Sequence, residues 1–286
     1  MRRPNKPVYI SDLDGTLLRS DGVLSEYSRK TLRRLLDGGL NFTVASARDV
    51  SEIRAALGDL PITLPVIAVN GAFLSDYAAG RHLIVNNLDA ELAANILDRI
   101  SGQNLWPFIR TFDGREDLLW FERITNPAMQ WYHDVLALQK DSRLCNCDNL
   151  TEKLRETVIS FSVMGEKEPI ENLSNILSEL FPAMLENFFF ENPYSPGHWW
   201  LTIHDKKACK SIAIKELLDM TGFDRSQLTV FGDHINDIKM FKQAGAAIAV
   251  ENADPRLKTH ADVVIGSNDS DAVVKYIKKS AKSPKD

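Results

Sequence analysis

Short apolar runs alternate with amphipathic segments at the beginning of the chain. Residues 8–10, 40–45 and 66–69 form the apolar runs and predict buried strands. Between them, residues 27–36 and 50–57 carry apolar side chains at helical spacing. Strands that alternate with helices indicate a parallel sheet that is covered on both faces.

The same alternation of strands and helices returns after Ala208, whereas the middle of the chain shows a different order of predicted elements. After Ala208 the pattern predicts helices over residues 211–220, 235–241 and 272–279 and strands over residues 228–231, 246–250 and 263–265. The middle predicts helices over residues 90–100, 127–139 and 170–180 and strands over residues 118–121, 158–163, 188–190 and 199–203. This second order suits a small α+β layer with an antiparallel sheet.

These patterns predict one domain interrupted by another. We expect an α/β fold whose Rossmann-like core, a doubly wound parallel sheet, is built from residues 1–85 and 195–286. Residues 86–194 would form an inserted α+β cap.

Composition narrows the classes of partner. Lys and Arg total 34 against 39 Asp and Glu, so the formal net charge is −5. A mildly acidic chain lacks the net positive charge that is typical of proteins that bind nucleic acid or an anionic membrane. No stretch reaches the roughly 18 apolar residues of a membrane helix, and the three cysteines fit reduced thiols. We therefore expect a cytoplasmic protein, a monomer or weak homodimer, that binds neither nucleic acid nor membrane.

Two carboxylates stand where the first predicted strand runs into a turn. Asp12 and Asp14 lie two residues apart and are followed by Gly15 and Thr16. In open parallel sheets ligands bind beyond the carboxyl ends of the strands. One carboxylate of such a pair can stay ionised as a nucleophile while the other moves a proton. An Asp-x-Asp pair alone is usually structural, but strand, pair and turn together indicate a site.

A second acidic cluster ends the strand predicted over residues 228–231. Asp233, Asn236 and Asp237 share one face of the following helical turn. Two carboxylate clusters at carboxyl ends of strands can converge on one cation, and oxygen ligands favour Mg²⁺ over zinc. The alternative is a helix cap at Asp233 and a solvated charge at Asp237.

Two further residues have the chemistry to bind phosphate. Lys210 begins a helix and would place a cation beside the carboxylates, although a lone lysine is usually a surface residue. Ser46 follows an apolar strand and offers a hydroxyl and an N–H group to a phosphate oxygen. Its alternative interpretation is a plain helix-entry serine.

Together these segments resemble the four motifs of the haloacid dehalogenase superfamily. The matching residues are Asp12-Leu13-Asp14-Gly15-Thr16, Ser46 after an apolar strand, Lys210 before a helix, and Gly232-Asp233-x-x-Asn236-Asp237. The large insertion after the third strand resembles the Cof-type branch with a C2B cap, as do Asn70-Gly71-Ala72 and Asn252-Ala253. Ala47 and Ser211 depart from the family pattern, which usually has glycine at both positions.

The resemblance implies a role for each motif residue. Asp12 would form an aspartyl-phosphate, while Asp14 would protonate the leaving oxygen and then deprotonate the attacking water. Mg²⁺ would be held by Asp12, the main-chain carbonyl of Asp14 and Asp233, with Asp237 adjoining. The substrate-binding residues would be Ser46, Asn70, Lys210 and Asn236.

The function predicted in this way is Mg²⁺-dependent hydrolysis of a small soluble phosphate monoester, with sugar phosphates among the candidates. One alternative is a phosphosugar mutase of the same superfamily, which would return the phosphoryl group to its product. Another is a sensor that binds a metal or a phosphorylated ligand without turnover. The carboxylate of Asp14 argues against a sensor, because binding alone does not require a proton shuttle.

Overall fold

The computed structural model describes residues 6–192 and 195–281, and its elements are numbered in chain order. The strands are β1 (Val8–Ser11), β2 (Asn41–Val44), β3 (Val66–Ala68), β4 (Phe73–Ser75), β5 (His82–Val85), β6 (Phe108–Phe112), β7 (Asp117–Phe121), β8 (Leu144–Asn146), β9 (Thr157–Gly165), β10 (Leu185–Glu191), β11 (Trp199–Asp205), β12 (Leu228–Gly232), β13 (Ala246–Ala249) and β14 (Val263–Val264). The α-helices are α1 (Glu26–Asp37), α2 (Val50–Leu57), α3 (Ala90–Gly102), α4 (Pro127–Leu138), α5 (Lys167–Leu180), α6 (Lys210–Thr221), α7 (Ile238–Phe241), α8 (Pro255–Lys258) and α9 (Ala272–Ser280).

Helix starts follow polar capping residues. Ser25 precedes α1 and its hydroxyl accepts a hydrogen bond from the Ser28 N–H at 3.0 Å. Asp49 and Glu52 form a reciprocal capping box at the start of α2, which satisfies N–H groups that the helix itself leaves open. Across residues 6–192 and 195–281, no helix combines the length and the apolar character needed to cross a bilayer.

A five-stranded parallel sheet carries the predicted Rossmann-like architecture. Its strand order is β14-β13-β12-β1-β2, and Val8 of β1 lies opposite Leu228 of β12 and Asn41 of β2. All four residues of β1 are buried, as expected for a strand covered on both faces. Because β1 and β12 are parallel neighbours, their carboxyl ends meet at one edge of the sheet. The predicted α/β class is confirmed.

The third predicted strand pairs differently from the expectation. β3 meets β2's continuation through one parallel bridge, between Ala45 and Ile67, and otherwise pairs antiparallel with β4. β4 in turn pairs antiparallel with β5, which makes a separate three-stranded sheet. The turn Val69–Gly71 reverses the chain directly after β3 and so brings β4 alongside it.

The chain divides into two compact units. The core unit comprises Met1–Val85 and Cys209–Asp286, and the inserted unit comprises Asn86–Ala208. The sequence pattern predicts that the insertion ends at residue 194, which the structure corrects to Ala208. The reason is that β11 pairs antiparallel with both β10 and β9, so it belongs to the inserted sheet.

The inserted unit contains a six-stranded sheet in the order β10-β11-β9-β6-β7-β8. The expected antiparallel sheet needs one correction, because β8 runs parallel to β7 and the sheet is mixed. Helices α3 and α5 pack on one face, where Ile109 and Phe161 are fully buried. Helix α4 packs on the other face, where Phe108 and Met164 are fully buried. Adjacent residues of one strand thus serve opposite layers.

Candidate active site

Two neighbouring strands of the core sheet deliver the acidic residues to one place. Asp12 follows β1 directly, and its N–H donates to the Phe231 carbonyl of β12 at 3.0 Å. Asp233 follows β12, and Asp237 ends the helical turn behind it. Carboxylate oxygens of Asp12, Asp233 and Asp237 lie within 4.8 Å of one another. The structure therefore brings Asp12 of the first acidic pair together with Asp233 and Asp237 of the second cluster.

Lys210 supplies a buried cation to this cluster. It is the first residue of α6, is 3% exposed, and donates from Nζ to Asp12 Oδ1 at 2.5 Å and to Asp237 Oδ1 at 2.8 Å. Burial alone would lower the pKa of Lys210, but the charges of Asp12 and Asp237 outweigh it and raise the pKa. Lys210 is thus a fixed ammonium.

The carboxylates carry more charge than one lysine neutralises. Burial raises the pKa of Asp12 well above its usual range, against the opposing charge of Lys210. Burial also raises the pKa of Asp233, against a hydrogen bond from Thr16. Three ionised carboxylates beside one ammonium would leave two negative charges in excess, and burial opposes that state. A cluster of carboxylate oxygens, without imidazole or thiolate among its members, fits a hard divalent cation such as Mg²⁺.

Two glycines allow the carboxylates their positions. Gly15 has φ +74°, and a Cβ there would lie 2.4 Å from Asp233 Oδ2. A Cβ on Gly232 would lie 2.6 Å from Asp237 Oδ2, which accepts from the N–H groups of Asp233 and His234. The hydroxyl of Thr16 donates to Asp233 Oδ1 at 2.6 Å. The Gly-Thr turn therefore shapes the cluster rather than merely ending the strand.

If the cluster holds a divalent cation such as Mg²⁺, we expect Gly15→Ala to weaken its binding by about tenfold or more, because the new methyl group displaces Asp233. Gly39→Ala is the matched control, since Gly39 has φ +83° but a Cβ there would have no atom within 4 Å. Both variants share the backbone cost of a positive φ, on the order of 1 kcal/mol. Thermal shift measured against Mg²⁺ concentration checks the prediction, and an equal loss of affinity in both variants would contradict it.

Ser46 lies at the carboxyl side of β2 and is almost fully buried. Its N–H donates to the Ile67 carbonyl at 2.9 Å, and its hydroxyl accepts from the Arg48 N–H at 3.1 Å. The alanine at position 47, where the family usually has glycine, causes no left-handed backbone strain, because the φ angle of Ala47 is not positive. Ser211, the other departure, is buried with its hydroxyl 3.2 Å from the Cys209 thiol.

Asn70 occupies a strained turn between the serine and lysine motifs. Val69 and Asn70 have φ values of 50° and 55°, and the Asn70 N–H donates to the Ser46 carbonyl at 2.9 Å. A Cβ on Gly71 would lie 2.7 Å from the Cys209 carbonyl, directly before Lys210. The buried Oδ1 atoms of Asn70 and Asn236 have no hydrogen-bond partner in the described part of the chain.

Asp14 lies apart from the buried cluster. Its side chain is exposed and accepts from Arg48 Nε at 2.8 Å and from Arg48 Nη2 at 2.6 Å. Sequence reasoning missed this ion pair, although Arg48 stands two residues after Ser46. It also missed a contact of Asn252 with the turn that follows β1, where Asn252 Nδ2 donates to the Gly15 carbonyl at 2.7 Å.

The chain combines a parallel α/β sheet, an Asp cluster with a buried lysine at the carboxyl edge of that sheet, and a mixed-sheet insertion. This combination agrees with the resemblance to the haloacid dehalogenase superfamily. Residues 9–277 match the family of haloacid dehalogenase-like hydrolases, and the chain belongs to that family. The resemblance of the motifs is thereby confirmed, and the protein is a phosphoric monoester hydrolase of the haloacid dehalogenase superfamily.

Similar proteins cover nearly the whole chain. The 5-amino-6-(5-phospho-D-ribitylamino)uracil phosphatase YwtE of Bacillus subtilis is 28% identical over 93% of this chain and 95% of its own. The pyridoxal phosphate phosphatase YbhA of Escherichia coli is 22% identical over 93% of this chain and 95% of its own length. The solved structure of a haloacid dehalogenase-like hydrolase from Bacteroides thetaiotaomicron shares the fold, with a TM-score of 0.79 and 22% sequence identity. The match covers 96% of this chain and 99% of that structure's chain.

Proposed function

We propose that the chain hydrolyses a small phosphate monoester through an aspartyl-phosphate on Asp12, with Mg²⁺ as cofactor. The observation that carries this proposal is the contact of Lys210 Nζ with both Asp12 and Asp237 inside a cluster of three carboxylates. The ammonium donates a hydrogen bond to Asp12 Oδ1, which orients the carboxylate and offsets its negative charge. A fixed, partly neutralised carboxylate is suited to attack an anionic phosphoryl group.

Asp12 and Asp233 would hold the metal ion together with the main-chain carbonyl of Asp14. Asp237 adjoins it and uses Oδ2 on two N–H groups and Oδ1 on Lys210. When bound, Mg²⁺ supplies charge neutralisation to the phosphoryl oxygens. This fits the excess negative charge that the cluster carries.

The remaining motif residues would divide binding and proton transfer. Ser46, Lys210 and Asn236 would hold the phosphoryl oxygens, and Asn70 would contact substrate through its side-chain amide. Asp14 would give a proton to the leaving oxygen and later accept one from water. Its exposed position, outside the metal cluster, is compatible with that exchange.

The substrate class follows from chemistry and from the relatives. YwtE and YbhA are named for small phosphorylated organic compounds, which supports a soluble phosphate monoester here, with sugar phosphates among the candidates. The net charge of −5 gives no support to a nucleic acid as partner.

Purified protein with Mg²⁺ should release inorganic phosphate from p-nitrophenyl phosphate and from members of a panel of phosphorylated metabolites. Removal of divalent cations by EDTA should lower the rate at least about tenfold, because the cluster then keeps its unneutralised charge. Added Mg²⁺ should restore the rate. Full activity in EDTA would contradict the metal assignment, and return of the phosphoryl group to product without release would indicate a mutase.

A further inference from the structure

Arg48 and Asp14 form a two-point ion pair in the core unit. Arg48 Nε donates to Asp14 Oδ2 at 2.8 Å, and Nη2 donates to Oδ1 at 2.6 Å. Two parallel donors on one carboxylate fix its plane as well as its distance. The Arg48 side chain is 28% exposed and that of Asp14 is 51% exposed, so the pair contributes little to folding. Its main physical effect is to orient a carboxylate that would otherwise rotate.

The main chain of Arg48 is held on both sides. Its N–H donates to the Ser46 hydroxyl at 3.1 Å, and its carbonyl accepts from the Val69 N–H at 2.9 Å. Val69 is β-branched and has φ 50°, a left-handed backbone conformation that such residues rarely adopt. Asp49, the next residue, caps α2. The guanidinium therefore extends from a fixed backbone.

We propose that Arg48 is a positioning residue for proton transfer by Asp14. The proposal rests on the proposed function, in which Asp14 is the acid and then the base. Arg48 uses one lone pair on each Asp14 oxygen and leaves the other free for a proton. The carboxyl group is thus oriented without being blocked.

Asp14 donates one proton in the first half-reaction and accepts one proton in the second. In the first, an oxygen of Asp12 bonds to phosphorus, the bond from phosphorus to the leaving oxygen breaks, and the proton of Asp14 passes to that oxygen. In the second, a water oxygen bonds to phosphorus, the bond from phosphorus to Asp12 breaks, and a water proton returns to Asp14. The chain ends unchanged, with an alcohol and phosphate as products.

Leaving-group chemistry distinguishes positioning from phosphate binding. p-Nitrophenolate leaves with little need of protonation, whereas the phenolate of phenyl phosphate needs more. Because general acid catalysis contributes about 10²–10⁴-fold, we expect Arg48→Met to lower kcat/KM for phenyl phosphate by about 100-fold. For p-nitrophenyl phosphate the expected loss is less than about tenfold. An equal loss for both substrates would overturn the proposal, because both carry the same phosphoryl group.

A double-mutant cycle tests whether Arg48 acts through Asp14. In an Asp14→Asn background, Arg48→Met should lower kcat/KM for phenyl phosphate less than about twofold further, since the oriented carboxylate is already lost. A full additional 100-fold loss would overturn the proposal. Arg33→Met is the matched control, because Arg33 forms an exposed ion pair with Asp59 in the same unit. It should leave both substrates and the melting temperature unchanged.

The same data separate this inference from the proposed function. If Asp14→Asn shows the leaving-group-dependent loss and Arg48→Met does not, Asp14 is the acid and only the role of Arg48 is wrong. If Asp14→Asn has no such loss, the acid–base assignment and the inference built on it are both wrong.

Discussion

Asp12→Asn should lower kcat for phosphate ester hydrolysis by about 10⁴-fold or more, because it removes the nucleophile of a covalent mechanism. An asparagine amide retains the shape of the side chain but has no anionic oxygen to attack phosphorus. Phosphate release measures the rate, and rapid quenching with intact-mass detection shows whether a phosphorylated protein forms. Wild-type protein should show the phosphorylated species, and the variant should not.

The loss should not be a loss of folding. Burial raises the pKa of Asp12, so its negative charge is unfavourable in the metal-free cluster. A neutral asparagine removes that charge while Lys210 keeps Asp237 as a partner. We therefore expect a melting temperature equal to or above that of wild type without Mg²⁺. Asp59→Asn, at an exposed carboxylate of the same unit, is the control and should retain full turnover. Turnover by intact Asp12→Asn near the wild-type rate would exclude the covalent mechanism.

The core site could be predicted because its residues follow apolar strands. Residues 8–10 and 228–231 are mostly apolar, and the strands of one parallel sheet have their carboxyl ends at the same edge. Strand direction predicts that Asp12 and Asp233 share one edge of the sheet, and the pairing of β1 with β12 makes them neighbours. The place of Lys210 in the site could be predicted only from the family resemblance. A lysine at the start of a helix does not by itself indicate that its side chain contacts two carboxylates.

The inserted sheet was harder to predict because its pairing is decided by contacts distant in the chain. β8 is only three residues long and pairs parallel to β7, a direction that a short polar segment does not indicate. β6 was also missed, although it lies at the centre of the sheet between β9 and β7. The pair of Arg48 and Asp14 was also missed, because 34 residues separate the two charges along the chain.

The stability of the inserted unit should fall with acidity because of His204. This residue lies on β11, opposite Ser160 of β9 and Glu186 of β10, and is 2% exposed. Its Nδ1 atom has no hydrogen-bond partner within the described ranges. Burial, aided by the positive charge of Arg110, lowers the pKa of His204 to about 3. The folded unit therefore contains a neutral imidazole over most of the acidic range.

The direction of the pH effect follows from the proton balance. The unfolded chain binds a proton at His204 near the ordinary pKa of 6.5, whereas the folded chain does so only near 3. Below pH 6.5 the unfolded state binds more protons, so the free energy of unfolding decreases as the pH falls. At pH 5 the loss from this residue is about 2 kcal/mol, and at pH 3 it is about 4 kcal/mol. Above pH 6.5 the contribution is constant.

Tryptophan fluorescence can follow this unit selectively, because all five tryptophans lie within Asn86–Ala208. Urea unfolding at about pH 7.5 and pH 5 gives the free energy of unfolding at each pH. His204→Leu should reduce the pH-dependent loss by about 2 kcal/mol, because leucine binds no proton in either state. His260→Gln, in the core unit, should leave the loss unchanged. If wild type and His204→Leu lose the same stability between these two pH values, folding does not lower the pKa of His204 and the prediction is wrong.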